Sequence, residues 1–383
     1  MNPTVQANLA AYRHDARLYL ALGIATWSIF VVHVPDNVVS LLTLRSFGFS
    51  GQADLFVFVV GYGITVIHGR MALERGFIVS ATRIFRRVWR LYAAYVVLFV
   101  IYVDAIASVA AQSMAPEIIH DYNISGIIEH PLRILVSGLV LQEEPASLDL
   151  LQLMIPLMAF FPLALWGLLR RPHVTLLASV ALYLAARHFD WNFRLYPDGT
   201  WSFNPFCWQM LMVLGGWFAV TGAPSRALRG MRWLKALAAA WLLFALVITL
   251  AQHSPALGSH LPDGLLAPFT PNDKENLAPY RVLHFLALAF LATSLVPTDH
   301  PALQWRSLQA VIRCGEEWLA VFCVGVFLSF AGHLILITGP NLVLMQIAVT
   351  LAGFAAMTAV AYYVSWSRRQ DHPTVARPRA QGA

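Results

Sequence analysis

The sequence predicts an all-α integral membrane protein of about ten transmembrane helices with both termini on the cytoplasmic side. Three observations predict it. Hydrophobic residues make up 58% of the 383 positions and charged residues only 12%, with a mean hydropathy of +0.62, far from the composition of a soluble domain. Apolar runs of bilayer-crossing length recur along the whole chain. The basic residues gather in alternate connections, as the positive-inside rule requires.

The expected spans lie near residues 18–36, 52–69, 89–111, 148–169, 173–187, 205–221, 233–251, 280–297, 315–337 and 341–366. Residues 1–17 form a cytoplasmic N-terminal segment, 18–366 the membrane domain and 367–383 a disordered cytoplasmic tail. The first run follows Arg13 and Arg17 and lacks a small-residue cleavage site, so it reads as a retained span. Between the third and fourth spans, Pro116, Pro131 and the short apolar run 134–141 suggest an interfacial or re-entrant helix.

Charge sets the orientation. Arg70, Arg75, Arg83, Arg86, Arg87 and Arg90 follow span two, Arg170 and Arg171 span four, Arg226 to Lys235 span six, and Arg306 and Arg313 span eight. All fall on one side if the N-terminus is inside. The opposite connections carry Glu143, Glu144, Asp149, Asp190, Asp273 and Glu275, among other acids. The net charge of +6 is therefore the sum of a basic inner and an acidic outer face, and it does not point to nucleic acid.

Motifs for soluble hydrolases, zinc proteases and nucleotide loops are absent. Cys207, Cys314 and Cys323 have no metal-ligand spacing and read as helix-packing residues. No metal site is expected. The GYG at 61–63 reads as a close helix contact.

Two features rise above a generic bundle. His33 lies at the outer end of the first span, followed by Pro35, Asp36 and Asn37. Proline ends the helix there, and Asp36 could orient the imidazole as a general base for a hydroxyl, an effect worth about 10²- to 10⁴-fold; equally, Asp36 and Asn37 could only satisfy a helix end. Arg83, Arg86, Arg87 and Arg90 recur at helical spacing at the inner mouth of span three. Such a row suits the phosphates of a cytoplasmic donor, or anchors the helix to lipid headgroups.

The order of RLYLALGIATWSIFVVHVPDN, RSFGFSGQADLFVFVVGYGI and RRVWRLYAAYV resembles the opening of the OpgC branch of the acyltransferase-3 superfamily. LDLLQLMIPLM, FNPFCWQMLMVLG, NLAPYRVLHFLALAF and CGEEWLAVFCVGVFLSFAGH extend the resemblance, also with transacylases of bacterial cellulose operons, over residues 13–365. It implies an acyltransferase-3-like bundle in the bacterial inner membrane that moves an acetyl or succinyl group from a cytoplasmic acyl-CoA to an extracytoplasmic polysaccharide, cellulose or a periplasmic glucan. Acyl-CoA is then a donor substrate and no cofactor is permanently bound. Membrane lipid and subunits of a glycan synthase are the implied partners. A transporter on the same scaffold, or a non-catalytic subunit of a glycan synthesis complex, is the alternative.

The resemblance places the family histidine at His33, its paired arginines at Arg87 and Arg90, with Arg86 beside them, and its second-span acid at Asp54. Asn37, Asn204, Lys274, Arg281 and His284 fall in matching strings as supporting residues. The chain also departs from the family. Leu22 stands where the pattern has a cation eleven residues before the histidine, about 20° away around the helix. Tyr19 and Val60 replace a common Asp and Ser. Trp191, Phe193, Tyr196 and Trp201, in an outer loop, suit a carbohydrate acceptor or a membrane aromatic belt.

Overall fold

The computed structural model describes residues 3–11, 15–113, 122–123, 130–196, 198–222, 226–339 and 342–371. Arg13, Pro116 and the tail from 372 lie outside the described residues. Thirteen helices carry the argument: α1 Pro3–Ala11, α2 Ala16–Val32, α3 Gln52–Arg75, α4 Phe77–Ser113, α5 Pro131–Leu139, α6 Asp149–Arg170 and α7 Pro172–His188 in the first half. The second half contributes α8 Pro205–Thr221, α9 Arg232–His253, α10 Pro279–Leu295, α11 Arg306–Glu316, α12 Trp318–Thr338 and α13 Val343–Asp371.

Each expected span coincides with a helix. Among the described residues, six helices (α3, α4, α6, α9, α12 and α13) have at least 18 residues and are apolar enough to cross a membrane. The remaining four, α2, α7, α8 and α10, have 17 residues each. At 1.5 Å per residue they reach about 26 Å, the lower end of the length that crosses a hydrocarbon core of about 30 Å. The third span begins earlier than its apolar run, because α4 is continuous through the arginine row. The tail expected to be disordered from 367 is instead helical through Asp371.

The bundle closes through small residues. A Cβ at Gly61 would meet the Met212 carbonyl oxygen, and one at Gly215 the Phe58 carbonyl oxygen, so α3 and α8 pack backbone against backbone. This bears out the close helix contact expected at Gly61; Gly63 has open space instead. In the same way Gly23 faces the Val311 carbonyl and Gly315 the Tyr19 carbonyl, bringing α2 against α11. That amphipathic helix was not legible as a separate element, and Gly315 belongs to it rather than to the following span. Leu153, Met154, Leu165 and Trp208 are fully buried at the centre. Polar clusters sit at the two ends.

Candidate functional site

At one end, α2 stops because its last carbonyls are used up in a tight turn. The His33 N–H is shared by the carbonyls of Ile29 and Phe30, both at 3.2 Å. The ring then folds back on the same turn, with Nδ1 2.7 Å from the Ile29 oxygen. A carbonyl only accepts, so Nδ1 carries the proton and the neutral ring keeps its lone pair on Nε2. Nε2 faces Asp149, with Oδ1 3.9 Å away; both side chains are partly buried.

Asp149 opens α6 and its own position is fixed twice. Oδ1 accepts from the Leu150 N–H at 2.8 Å, and Oδ2 lies 3.2 Å from Lys274 Nζ. That ammonium also sits 3.8 Å over the Phe203 ring. Just before Asp149, Leu141 and Ser147 have φ of 62° and 76°, strained backbone for residues with a Cβ. Ser147 lines a small cavity beside His33, with Thr26, Ile29, Phe322 and Ser329. In the same loop Glu144 accepts from Ser202 N–H at 2.8 Å and Oγ at 2.7 Å. Burial, and then the charge of Asp149, push the Glu144 carboxyl up to about 7, against the pull of Ser202.

The ring is oriented by the Ile29 carbonyl, and the carboxylate that stands beside it is Asp149, where the sequence suggested Asp36. Asp36 is exposed, in the left-handed region at φ 54°, where the chain reverses after Pro35. Asn37 is buried and structural: it caps the next turn through Val39 N–H at 3.0 Å and donates to Thr350 Oγ1 at 2.9 Å.

The supporting residues divide. Lys274 joins the His33 cluster. Asn204 holds the loop that carries it, donating to Asn276 Oδ1 at 2.8 Å and to the Trp191 carbonyl at 2.7 Å while capping α8. Asp54, Arg281 and His284 form a separate knot. Arg281 Nη2 lies 2.7 Å from Asp54 Oδ2, which also accepts from Gly51 N–H at 2.8 Å, and Ser50 Oγ meets His284 Nδ1 at 2.7 Å. This knot ties the start of α3 to the start of α10. Of the four aromatics, Trp191 and Phe193 are exposed, Trp201 is buried and donates to the Leu141 carbonyl at 3.1 Å, and Tyr196 lies under Arg133.

At the other end lies a cavity of about 350 Å³. Arg87, Arg90, Arg368, Glu316 and Glu317 line it, and Leu18, Leu22, Val59, Val60, Ile64 and Met158 give it apolar walls. Tyr19, Leu22 and Val60, the three departures from the family pattern, all line this one space. Arg86 does not; it is exposed on another side of α4, and Arg83 lines a neighbouring cleft with Arg70 and Arg75. Of the four arginines in the expected row, Arg87 and Arg90 face this cavity.

The two cavities stack along one stripe. On α2, Leu18 and Leu22 line the arginine-rich cavity, and Thr26, Ile29 and His33 the other. On α12, Leu319 lines the first and Phe322, Val326 and Ser329 the second. From Leu22 to Thr26 is one helical turn, about 6 Å, and there the two spaces are separate.

Sequence reasoning singled out His33, Arg87 and Arg90 and missed Asp149 as the partner of His33. The available signal was an acid at the first position of an apolar helix at the outer end. Arg368, assigned to the tail, had none. In comparisons with known proteins, the family model described as OpgC protein matches residues 14–369. No curated protein and no solved structure matches the chain.

Proposed function

The chain belongs to the OpgC family, whose members are acyltransferases acting on glucans, and from that premise we propose that it is a multi-pass inner-membrane O-acyltransferase. Its donor is a cytoplasmic acyl-CoA carrying an acetyl or succinyl group, and its acceptor a hydroxyl of an extracytoplasmic glucan. The observation that carries the proposal is His33: its Nδ1 is tied to Ile29, its Nε2 is bare and faces Asp149, and the same helix stripe leads to the arginine-rich cavity.

The donor's phosphates meet Arg87 and Arg90, and the pantetheine arm follows the apolar wall past Leu22 toward Thr26. His33 Nε2 takes the proton of a glucan hydroxyl as its oxygen attacks the thioester carbonyl. Asp149 offsets the charge of the imidazolium that forms. When the carbon–sulfur bond breaks, the imidazolium returns its proton to the thiolate, leaving coenzyme A and an ester. No serine nucleophile is needed. Exposed Trp191 and Phe193, on a loop tied to those that carry Glu144 and Lys274, offer flat faces to a sugar ring.

A second reading is a transporter on the same scaffold, favoured by the closed turn between the two cavities. Purified protein in liposomes, with labelled acyl-CoA on the arginine-rich side and glucan on the other, separates them. Acyl ester on the glucan supports transfer; label crossing the bilayer without ester supports transport and contradicts the proposal.

A further inference from the structure

Arg368, in the last turns of α13, shares the arginine-rich cavity with Arg87 and Arg90. Its side chain is 64% exposed, and Nη1 lies 2.8 Å from Oε2 of Glu317, whose side chain is only 7% exposed. The adjacent acid is committed elsewhere: Glu316 pairs with Arg313 at 2.6 Å. Arg313 also donates to Ser365 Oγ at 3.1 Å, three residues before Arg368. The end of α13 is thus fastened to α11 independently of the Arg368–Glu317 pair. Breaking that pair does not release the helix.

Three guanidinium groups consequently converge on one space, and Arg87 is repelled by both Arg90 and Arg368. Three gathered cations face two carboxylates, of which Glu316 is already paired with Arg313, and they suit a polyanion better than Glu317 alone. Glu317 is a weak occupant, because burial raises its carboxyl above the usual range, with Arg368 opposing. A phosphate brings up to two charges and three acceptor oxygens, matching the fork of an arginine.

We propose that Arg368 is a third phosphate-binding arginine of the donor site, and that Glu317 is a resident anion which the donor's phosphate displaces. The proposal rests on the reading of this cavity as an acyl-CoA site. Glu317 then sets donor affinity by competition: in the empty site it holds Arg368 at the rim, and on binding it gives up that partner.

Equilibrium binding of unacylated coenzyme A to the full chain, purified in detergent, tests it. Arg368→Ala weakens binding about tenfold and Arg368→Lys less, as expected for one charge-assisted contact. Glu317→Gln tightens it about threefold or more, since the competitor is gone. A pair that only clasps the fold gives the two variants effects of the same sign. If Arg368→Ala and Glu317→Gln do not oppose one another while Arg87→Ala still weakens binding, the inference is overturned and the donor site stands. If coenzyme A does not bind the wild-type chain at about 1 mM and Arg87→Ala changes nothing, the donor-site reading itself fails, and this inference with it.

Discussion

His33 and Asp149 meet where α2 ends and α6 begins, with Nε2 and Oδ1 3.9 Å apart and Lys274 on the far oxygen of the carboxylate. His33 is held by its own helix through Ile29, whereas Asp149 is held by its neighbour Leu150 and by the distant Lys274. The pair exists because the strained turn through Ser147 delivers Asp149 to the end of another helix.

Asp149→Asn keeps the shape of that contact and removes its charge, so the imidazolium loses its counter-ion. We expect kcat to fall by about ten- to a hundredfold, with donor affinity unchanged. Asp36→Asn leaves kcat within about twofold, because Asp36 faces solvent. Steady-state acyl transfer by the two variants checks both; equal losses would return Asp36 to the site.

The buried carboxyl of Glu144 makes stability depend on pH in a stated direction. Its folded pKa is about 7, above the ordinary value of 4.5, so folding favours the protonated form. Below pH 4.5 both states are protonated and nothing is lost. As pH rises from 4.5 to about 7 the unfolded state ionises first and stability falls, and above 7 the full cost, on the order of a few kcal/mol, is in place. Glu144→Gln removes this slope. Melting temperatures at pH 5 and pH 8 should therefore converge in the variant relative to wild type, and a pH difference as large in the variant would refute the assignment.

The Asp54–Arg281 pair is 0% and 7% exposed in its side chains. Removing one partner strands a buried charge, so Asp54→Ala or Arg281→Ala each destabilise by about 3–5 kcal/mol. The double variant loses less than the sum. Thermal melts of the three proteins test this, and simple additivity would show that the two charges do not support one another.

Glycine contacts separate structural from cavity positions. Gly315→Ala places a methyl group against the Tyr19 carbonyl and forces α11 from α2, lowering the melting temperature sharply. Gly63→Ala points into open space beside the cavity and leaves the melt unchanged. A normal melt for Gly315→Ala would mean that the two helices do not approach as closely as described.

The apolar runs revealed every long helix, because hydropathy and length mark a segment that can enter a bilayer. The break at Glu317 and the separate helix Arg306–Glu316 were hidden, since an amphipathic helix next to a span reads as one more connection. For the site, a histidine at a helix end and arginines at helical spacing were visible as local patterns. The partners of His33 were not. Asp149 stands 116 residues further along the chain, and Lys274, named only through the family resemblance, pairs with Asp149 from 241 residues beyond His33; only the folded bundle brings them together. Arg86 shows the opposite failing, for the row of arginines did not say which of them faced the cavity.

The central claim is that His33 Nε2 takes the acceptor's proton. Its most direct test is the rate of acyl-ester formation on the glucan by His33→Ala, measured with coenzyme A binding in the same preparation. The account predicts a fall of about a hundredfold or more with binding retained. Ester formation within a few-fold of wild type would contradict it.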